Sequence, residues 1–215
     1  MVIGASGGIG AALARVTGAI CLGRPELDLT DEARIASAAA RVQAEHGAVD
    51  IVIVATGLLH TETISPEKTW SRLDAAVMAQ VFAVNTIGPA LVAKHFLPLL
   101  AKGRKSVFAA LSARVGSIGD NRLGGWVSYR ASKAALNQVI RTFSIELRRK
   151  NPDAIIIGLH PGTVDTGLSQ PFQASAPKEV FSPDVAARHL LAVIDQVTTD
   201  DSGDVFDWAG ARVMP

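Results

Sequence analysis

Short apolar runs that alternate with helical patterns constrain the fold of this chain more than any other feature. The strand-like runs lie at 1–3, 19–23, 50–55, 106–111, 154–159 and 204–209. Most of them are apolar without alternation, as is typical of strands that are covered on both faces. Repeated strand–helix–strand units therefore predict an α/β fold: a single-domain, doubly wound parallel sheet with helices on both faces.

Capping residues and prolines mark the expected helix boundaries between these strands. Thr30 is expected to cap a helix that begins with Asp31 and Glu32 and ends at Gly47. The other expected helix starts and helical stretches are Ser65–Pro66, 71–101, 126–150 and Ser182–Pro183. The segment 167–182 is rich in Ser, Pro and Gln and long for a connection, so we expect it to be a flexible substrate lid.

The composition limits the class of protein. A chain of 215 residues, 48% hydrophobic, suits one domain spanning 1–215. The net charge is only +1, which gives no strong field for nucleic acid or an anionic membrane. Cys21 is the only cysteine, so a reducing compartment is expected. The longest apolar runs are too short to span a bilayer and the N-terminus does not resemble a signal peptide, so we expect a cytoplasmic protein.

Glycines cluster at the first predicted strand-to-helix junction. The sequence MVIGASGGIG places Gly4, Gly8 and Gly10 there, with Ser6 and Ile9 as further backbone donors. Glycines allow a sharp turn and the close approach of a pyrophosphate, and the helix N-terminus adds free N–H groups and a positive dipole end. At this position the pattern predicts a dinucleotide-binding turn.

The residue after the second strand is expected to select the cofactor. Asp28 lies 18 residues after Gly10, near the spacing of an acid that binds the ribose of NAD. The second predicted strand, however, ends at Gly23–Arg24, before Asp28. Arg24 would pair with a 2′-phosphate, so the sequence favours NADP over NAD, with NAD still possible.

Tyr129 and Lys133 stand four residues apart within a predicted helix, so both lie on one face. A free tyrosine has a pKa near ~10. A fixed ammonium nearby favours the phenolate, and we expect it to lower this pKa by roughly three units, so that Tyr129 exchanges protons at neutral pH.

These motifs in this order, together with Asn85 and Pro161–Gly162, resemble the short-chain dehydrogenase/reductase family over nearly the whole chain. The stretch from Ser112 to Asn137 resembles the compact C-factor-like branch of that family. The resemblance implies a Rossmann sheet of about seven strands. It also implies a small-molecule carbonyl or alcohol substrate, and a homodimer or homotetramer that forms through the helices near 74–100 and 126–150.

The resemblance implies a role for each matching residue. Tyr129 is the general acid/base, Lys133 binds the nicotinamide ribose, and Asn85 holds a water that relays protons. The cofactor-binding set comprises Gly4, Ser6, Gly8, Ile9 and Gly10 at the pyrophosphate; Asp28 and Leu29 beside the adenine; Gly57 after the third strand-like run; and Pro161, Gly162, Thr163, Val164 and Thr166 at the nicotinamide carboxamide.

Departures from the family pattern leave alternatives open. The family reads Asn-Asn-Ala-Gly where this chain has Val54–Gly57, and Ala113 occupies the position of the catalytic serine. Ser112 is the first candidate to replace it, since it adjoins Ala113, with Ser117 in reserve and Ser128 expected to point elsewhere; the alternative is that no serine acts. The stretch from Gly10 to Arg24 is also shorter than a full helix plus strand.

Two functional hypotheses follow from these features. The first is an NADP-dependent oxidoreductase, and the second is a catalytically weak nucleotide-binding protein with a signalling or regulatory role. None of the histidines has metal-ligand spacing, so no metal is expected. His160 is expected to be packed or solvated, His60 to border the substrate cleft, and Trp126 to lie near Tyr129.

Overall fold

Eight strands are found in the computed structural model, which describes residues 1–175 and 179–215. They are β1 (Val2–Ile3), β2 (Cys21–Leu22), β3 (Ile51–Val54), β4 (Ser106–Leu111), β5 (Ala154–His160), β6 (Thr163–Val164), β7 (Val180–Phe181) and β8 (Val205–Asp207). Six form one parallel sheet in the order β2-β1-β3-β4-β5-β8, and β6 pairs with β7 separately. The predicted α/β parallel sheet is therefore confirmed.

Six α-helices cover the sheet. They are α1 (Gly8–Thr17), α2 (Glu32–His46), α3 (Ala75–Phe82), α4 (Gly88–Phe96), α5 (Val127–Arg148) and α6 (Pro183–Gln196). A π-helical segment, Ala83–Ile87, joins α3 to α4. Short 3₁₀ helices occur at Trp70–Arg72, Leu97–Leu99, Arg114–Gly116, Gln170–Ser175 and Thr199–Asp201.

The two faces of the sheet bury separate apolar clusters. On one face α2, α4 and α5 pack on the sheet, where Phe96 and Leu136 are buried. On the other face α1 and α6 pack together, where Leu13 and Leu190 are buried. The central strands β4 and β5 are buried along nearly their whole length, which explains their unbroken apolar sequences.

Two details of the predicted sheet and helices were wrong. The main sheet has six strands, rather than the approximately seven that the family resemblance implies. Asp31, rather than Thr30, caps α2 by accepting a hydrogen bond from the Arg34 amide.

The expected helix at Ser65–Pro66 is absent from the described structure. Residues 65–69 are irregular, and the chain becomes helical only at Trp70–Arg72 and then in α3. Glu67 in this segment is buried and bonds to the start of α5. This tertiary contact overrides the local signal of a proline after a serine.

The lid segment is partly regular. Residues 170–175 form a 3₁₀ helix and Val180–Phe181 form β7. Residues 176–178 of the predicted lid lie outside the described residues. Ser182 caps α6 through the Val185 amide, as the Ser-Pro pair predicts.

Residues Ala75–Leu99 form one continuous helical stretch of 25 residues. By length and composition alone it could cross a membrane, although core helices of globular proteins meet the same criterion. The predicted helical stretch 71–101 is thus confirmed, but its overall apolar character does not show as an unbroken apolar run, because polar residues such as Gln80 and Asn85 interrupt it. Val92 and Phe96 of the stretch pack in the core.

Candidate active site

The turn between β1 and α1 has the shape of an anion cradle. Gly4 has φ +88°, a conformation that side chains rarely adopt. A Cβ at Gly10 would collide with the Gly4 carbonyl oxygen. Ser6 and Gly8 are exposed, and the first amides of α1 have no partner within the helix. These residues fit a pyrophosphate group at a helix N-terminus.

A second loop lies against this turn. A Cβ at Gly8 would lie 2.5 Å from Cγ2 of Thr166, so the loop after β5 contacts the glycine turn. Gly162 in that loop has φ +77°, and a Cβ there would lie 2.9 Å from both Phe181 and Trp208. The structure thus brings the predicted nicotinamide loop, from Pro161 to Thr166, beside the predicted pyrophosphate turn.

The end of β3 completes this side of the cleft. A Cβ at Gly4 would lie 2.6 Å from Cγ2 of Thr56. The Thr56 hydroxyl oxygen is buried and has no hydrogen-bond partner among the described residues. An unpaired buried hydroxyl is unfavourable, so its place beside the cradle is consistent with a polar ligand there.

Arg24 and Asp28 have different environments at the carboxyl end of β2. Arg24 is exposed and forms no salt bridge within the described ranges. Asp28 accepts hydrogen bonds from the Thr30 amide, at 2.9 Å, and from the Thr30 hydroxyl, at 2.7 Å. These bonds lower the pKa of Asp28, with the backbone bond the larger cause. Leu29 packs against Gly88 at the start of α4.

Tyr129 and Lys133 lie on the first turns of α5. Lys133 is 2% exposed, and its Nζ donates to the Leu111 carbonyl oxygen at 2.7 Å. The Nζ atom lies 5.9 Å from the centre of the Tyr129 ring. Helical spacing alone brings these two groups together, as the sequence indicates.

Burial shifts the pKa values of this pair in opposite directions. It raises the pKa of Tyr129 to about 12. It lowers the pKa of Lys133 to about 7. The expected lowering of the Tyr129 pKa is therefore not what this structure shows, because the loss of water disfavours both charged forms. Tyr129 is held as a neutral phenol that carries its proton.

Asn85 connects the segment after β3 to α5. It lies in the π-helical segment, a distortion that often marks functional sites. Its Oδ1 accepts from the Leu58 amide at 2.7 Å, and its Nδ2 donates to the Leu58 carbonyl oxygen at 2.8 Å and to Ser132 Oγ at 3.1 Å. Ser132 Oγ in turn donates to the Tyr129 carbonyl oxygen at 2.8 Å.

Gly57 lies at the centre of this arrangement. A Cβ at Gly57 would be 3.8 Å from both Asn85 Oδ1 and Lys133 Nζ. A side chain at this position would extend beside the two polar groups. Gly57 itself is exposed, whereas Asn85 and Lys133 are buried beneath it, so this glycine separates the two polar groups from solvent.

The candidate serines are hydrogen-bonded elsewhere. Ser112 Oγ donates to Asn137 Oδ1 at 2.6 Å, and Ser117 Oγ accepts from the Asp120 amide at 3.0 Å. Ser128 donates to the Glu67 carboxylate. Within the described structure, none of these hydroxyls bonds to the Tyr129 phenol, Lys133 or Asn85. Ala113 is buried in extended backbone and offers no hydroxyl.

Sequence reasoning missed three polar residues that the fold brings to this site: Thr56, Glu67 and Ser132. Ser132 lies three residues after Tyr129, so its helical spacing was the available signal. Glu67 gave no local signal, because its partner Ser128 is 61 residues away in sequence. Among the described residues, no group of three or more His, Cys, Asp and Glu side chains could hold a metal ion.

Two further histidines lie close to the residues described above. His160, at the end of β5, is largely buried, and burial lowers its pKa to about 4, with nearby Arg114 adding to the effect and Asp207 opposing it. His60 lies beside the lid, with Nε2 at 3.0 Å from the Gly167 carbonyl oxygen.

The family model for short chain dehydrogenase matches residues 25–177. C-signal of Myxococcus xanthus is 39% identical over 66% of this chain and 80% of its own length. The 1-hydroxy-2-glutathionyl-2-methyl-3-butene dehydrogenase of Rhodococcus sp. (strain AD45) is 32% identical over 83% of this chain and 74% of its own.

Solved structures have the same fold. The NADPH-bound carbonyl reductase from chicken fatty liver superposes with a TM-score of 0.83 at 25% identity, covering 100% of this chain and 97% of that one. The carbonyl reductase Sniffer of D. melanogaster has a TM-score of 0.85 at 18% identity, with 100% and 98% coverage. The matched family model and the two sequence relatives show that the chain belongs to the short-chain dehydrogenase/reductase family of NAD(P)-dependent oxidoreductases.

Proposed function

We propose that this protein transfers a hydride between NADP(H) and a small carbonyl or alcohol substrate, with Tyr129 as the general acid/base. The observation that carries the proposal is that Lys133 and Asn85 meet at Gly57, and that the Tyr129 ring centre lies 5.9 Å from Lys133 Nζ. Enzymes of this kind need a proton donor at the place where a carbonyl oxygen gains charge. Tyr129 is the only tyrosine in the chain, and we assign it this role.

The residues divide the work as follows. When bound, the nicotinamide supplies or accepts the hydride at the substrate carbon. Tyr129, protonated at neutral pH, gives its proton to the carbonyl oxygen during reduction. Lys133, whose pKa is lowered by burial to about 7, gains and loses a proton near neutral pH and can donate to the ribose hydroxyls. Asn85 fixes the Leu58 peptide and, through Ser132, the first turn of α5.

The preference for NADP rests on Arg24. Arg24 follows β2 and its guanidinium is exposed. The family resemblance implies that the adenosine ribose binds at this position, where a guanidinium can pair with the 2′-phosphate of NADP. The chicken carbonyl reductase was solved with NADPH, and a Burkholderia multivorans relative of the same fold was solved with NADP. Both likenesses support NADP(H) for this chain.

A specific observation supports the alternative of a catalytically weak regulatory protein. Ala113 supplies no hydroxyl, and the neighbouring Ser112 is engaged by Asn137. Of Tyr129, Ser112 and residue 113, only Tyr129 would then be free to donate a hydrogen bond to a substrate carbonyl oxygen. The name of one relative, C-signal of Myxococcus xanthus, also suggests a signalling role.

The experiment that tests the proposal follows NADPH absorbance against a panel of aldehydes, ketones and quinones. We expect turnover by the wild type, and a loss of roughly 10²–10⁴-fold in kcat for Tyr129→Phe, because the proton donor is removed while the ring remains. NADPH affinity, titrated by fluorescence, should be unchanged in Tyr129→Phe and weaker in Lys133→Ala.

Two results would contradict the proposal. Near-normal kcat in Tyr129→Phe would remove Tyr129 from the mechanism. Tight NADPH binding by the wild type, with no turnover of any compound in the panel, would favour the regulatory alternative.

We further propose a cytoplasmic homodimer or homotetramer. The outer surfaces of the helical layer carry exposed apolar residues, including Ile87 and Ile145. Burying them between subunits would remove apolar surface from water. The single cysteine, which has no partner in the chain for a disulfide, supports a reducing compartment.

A further inference from the structure

Three aromatic side chains from separate segments meet beside Tyr129. The Trp126 ring lies edge-on to Tyr129, with centroids 6.2 Å apart, and edge-on to Phe172 at 5.1 Å. Phe172 is edge-on to His60 at 5.5 Å. Trp126 precedes α5, Phe172 belongs to the lid and His60 follows β3. The rings of these three residues, termed the aromatic wall here, extend from the phenol across the cleft.

Trp126 has an unfavourable backbone conformation. Its φ is 53° and its ψ is 42°, in the left-handed region, and it follows Gly124 and Gly125, which also have positive φ. Among the described non-glycine residues, it is the only one with positive φ. Such a residue persists only where its surroundings enforce it, and it often marks a functional site.

Glu67 enforces the conformation of Trp126. The Glu67 carbonyl oxygen accepts a hydrogen bond from the Trp126 amide. The Glu67 carboxylate, only 5% exposed as a residue, accepts from the Ser128 amide at 3.2 Å and from the Ser128 hydroxyl. The indole is thus attached to a fixed main chain on both sides of its Cα.

The opposite end of the aromatic wall is also held. His60 Nε2 lies within hydrogen-bonding distance, 3.0 Å, of the Gly167 carbonyl oxygen at the start of the lid. Phe172 lies between His60 and Trp126, so it contacts both sides of the cleft. A substrate whose carbonyl oxygen reaches Tyr129 would come close to Trp126, the ring of the aromatic wall that contacts Tyr129.

We propose that Trp126 is a specificity-determining residue, and that the aromatic wall selects carbonyl compounds in which the carbonyl is attached to a flat aromatic ring. Edge-on and offset contacts between aromatic rings are more favourable than contacts with a saturated ring of similar size. Because hydrogen bonds already fix the main chain at Trp126, the protein loses little conformational entropy when such a ring binds. This inference rests on the proposed carbonyl reduction and names its substrate class.

The test compares two ketones of similar size, acetophenone with a flat conjugated ring and cyclohexyl methyl ketone with a saturated ring; the change in their ratio between variants removes the difference in intrinsic carbonyl reactivity. For the wild type we expect kcat/KM with NADPH to favour acetophenone by about tenfold. Trp126→Ala should reduce this ratio to about twofold or less, mainly through a higher KM for acetophenone, and Trp126→Phe should keep most of it. Trp70→Ala is the matched control, because Trp70 is 83% exposed. Its ratio should equal that of the wild type.

A second arm does not depend on turnover. Both ketones are titrated calorimetrically into the protein loaded with NADP, and Phe172→Leu is measured beside Trp126→Ala in case the latter fails to fold. Tighter binding of acetophenone that is lost in either variant supports the aromatic wall. Equal affinities in the wild type, or an unchanged preference in the folded variants, overturn it. Preferential binding without any turnover would instead overturn only the proposed catalytic function.

Discussion

At the scale of single residues, desolvation decides the chemistry of the site. Tyr129 and Lys133 share a helix face, yet burial favours the neutral form of both, with pKa values of about 12 and about 7. The phenol therefore keeps its proton at neutral pH, which is consistent with the proposed role of Tyr129 as the acid in carbonyl reduction. The lysine titrates near physiological pH, which suits proton exchange with solvent.

The same effect makes His160 a source of pH-dependent stability. Burial lowers its pKa to about 4 in the folded protein, against about 6.5 when unfolded. Between these values the unfolded state binds more protons, so stability is lost as the pH falls through this window. Relative to His160→Asn, we expect the wild type to lose up to about 1.4 kcal/mol per pH unit below pH ~6.5.

Urea denaturation at pH 7.5, 6 and 5 measures this difference. Titrating carboxylates affect wild type and variant alike, so the difference between the two isolates His160. Parallel stability curves over the whole range would show that His160 does not titrate differently in the two states.

At the scale of elements, the start of α5 is the critical structure. Its N-cap, Trp126, makes no side-chain capping bond, so Glu67 supplies the acceptor for the Ser128 amide from another segment. A carboxylate at a helix N-terminus also interacts favourably with the helix dipole. This contact fixes the turn of α5 that carries Tyr129.

We expect Glu67→Ala to lower the free energy of unfolding by about 3 kcal/mol. The substitution leaves the buried Ser128 amide and hydroxyl without their acceptor, and such groups are costly. Asp31→Ala is the matched control, since Asp31 caps α2 on the protein surface and should cost only about 1 kcal/mol. Chemical denaturation of both variants provides the comparison. Equal losses would mean that Glu67 contributes no more than an exposed cap.

At the scale of the whole molecule, the two helical layers differ in what they leave exposed. The layer of α1 and α6 covers one face of the sheet. In the layer with α3, α4 and α5, only 33% of the most apolar part of the helical stretch Ala75–Leu99 is buried. Ile87 and Ile145 are 52% and 49% exposed there. An exposed apolar surface of this kind is typical of a subunit interface.

The double variant Ile87→Glu/Ile145→Glu should therefore be monomeric at micromolar concentration, whereas the wild type should sediment as a dimer or tetramer. Charges buried at an apolar interface without partners are strongly unfavourable. Val16→Glu on α1 is the control, because Val16 is also exposed but lies on the opposite layer. A wild type that sediments as a monomer, or a double variant that still associates, would contradict the proposed interface.

The sequence by itself determined the features that depend on short stretches of chain. Short, mostly apolar runs identified the six strands of the main sheet, and Ser182–Pro183 identified the start of α6. Glycines defined the turn after β1, and the spacing of four placed Tyr129 beside Lys133. Backbone sterics and helix periodicity act over a few residues, so these features can be predicted without knowledge of the fold.

Only the tertiary structure decided the features that depend on neighbours distant in sequence. The direction of the Tyr129 pKa shift follows from the burial of its surroundings, and the hydrogen bond of Ser112 follows from the approach of Asn137. The irregular segment at Ser65–Pro66 is held by Glu67, whose partner Ser128 lies 61 residues later. Desolvation and hydrogen-bond pairing are set by which groups the fold brings together, and no local pattern encodes that.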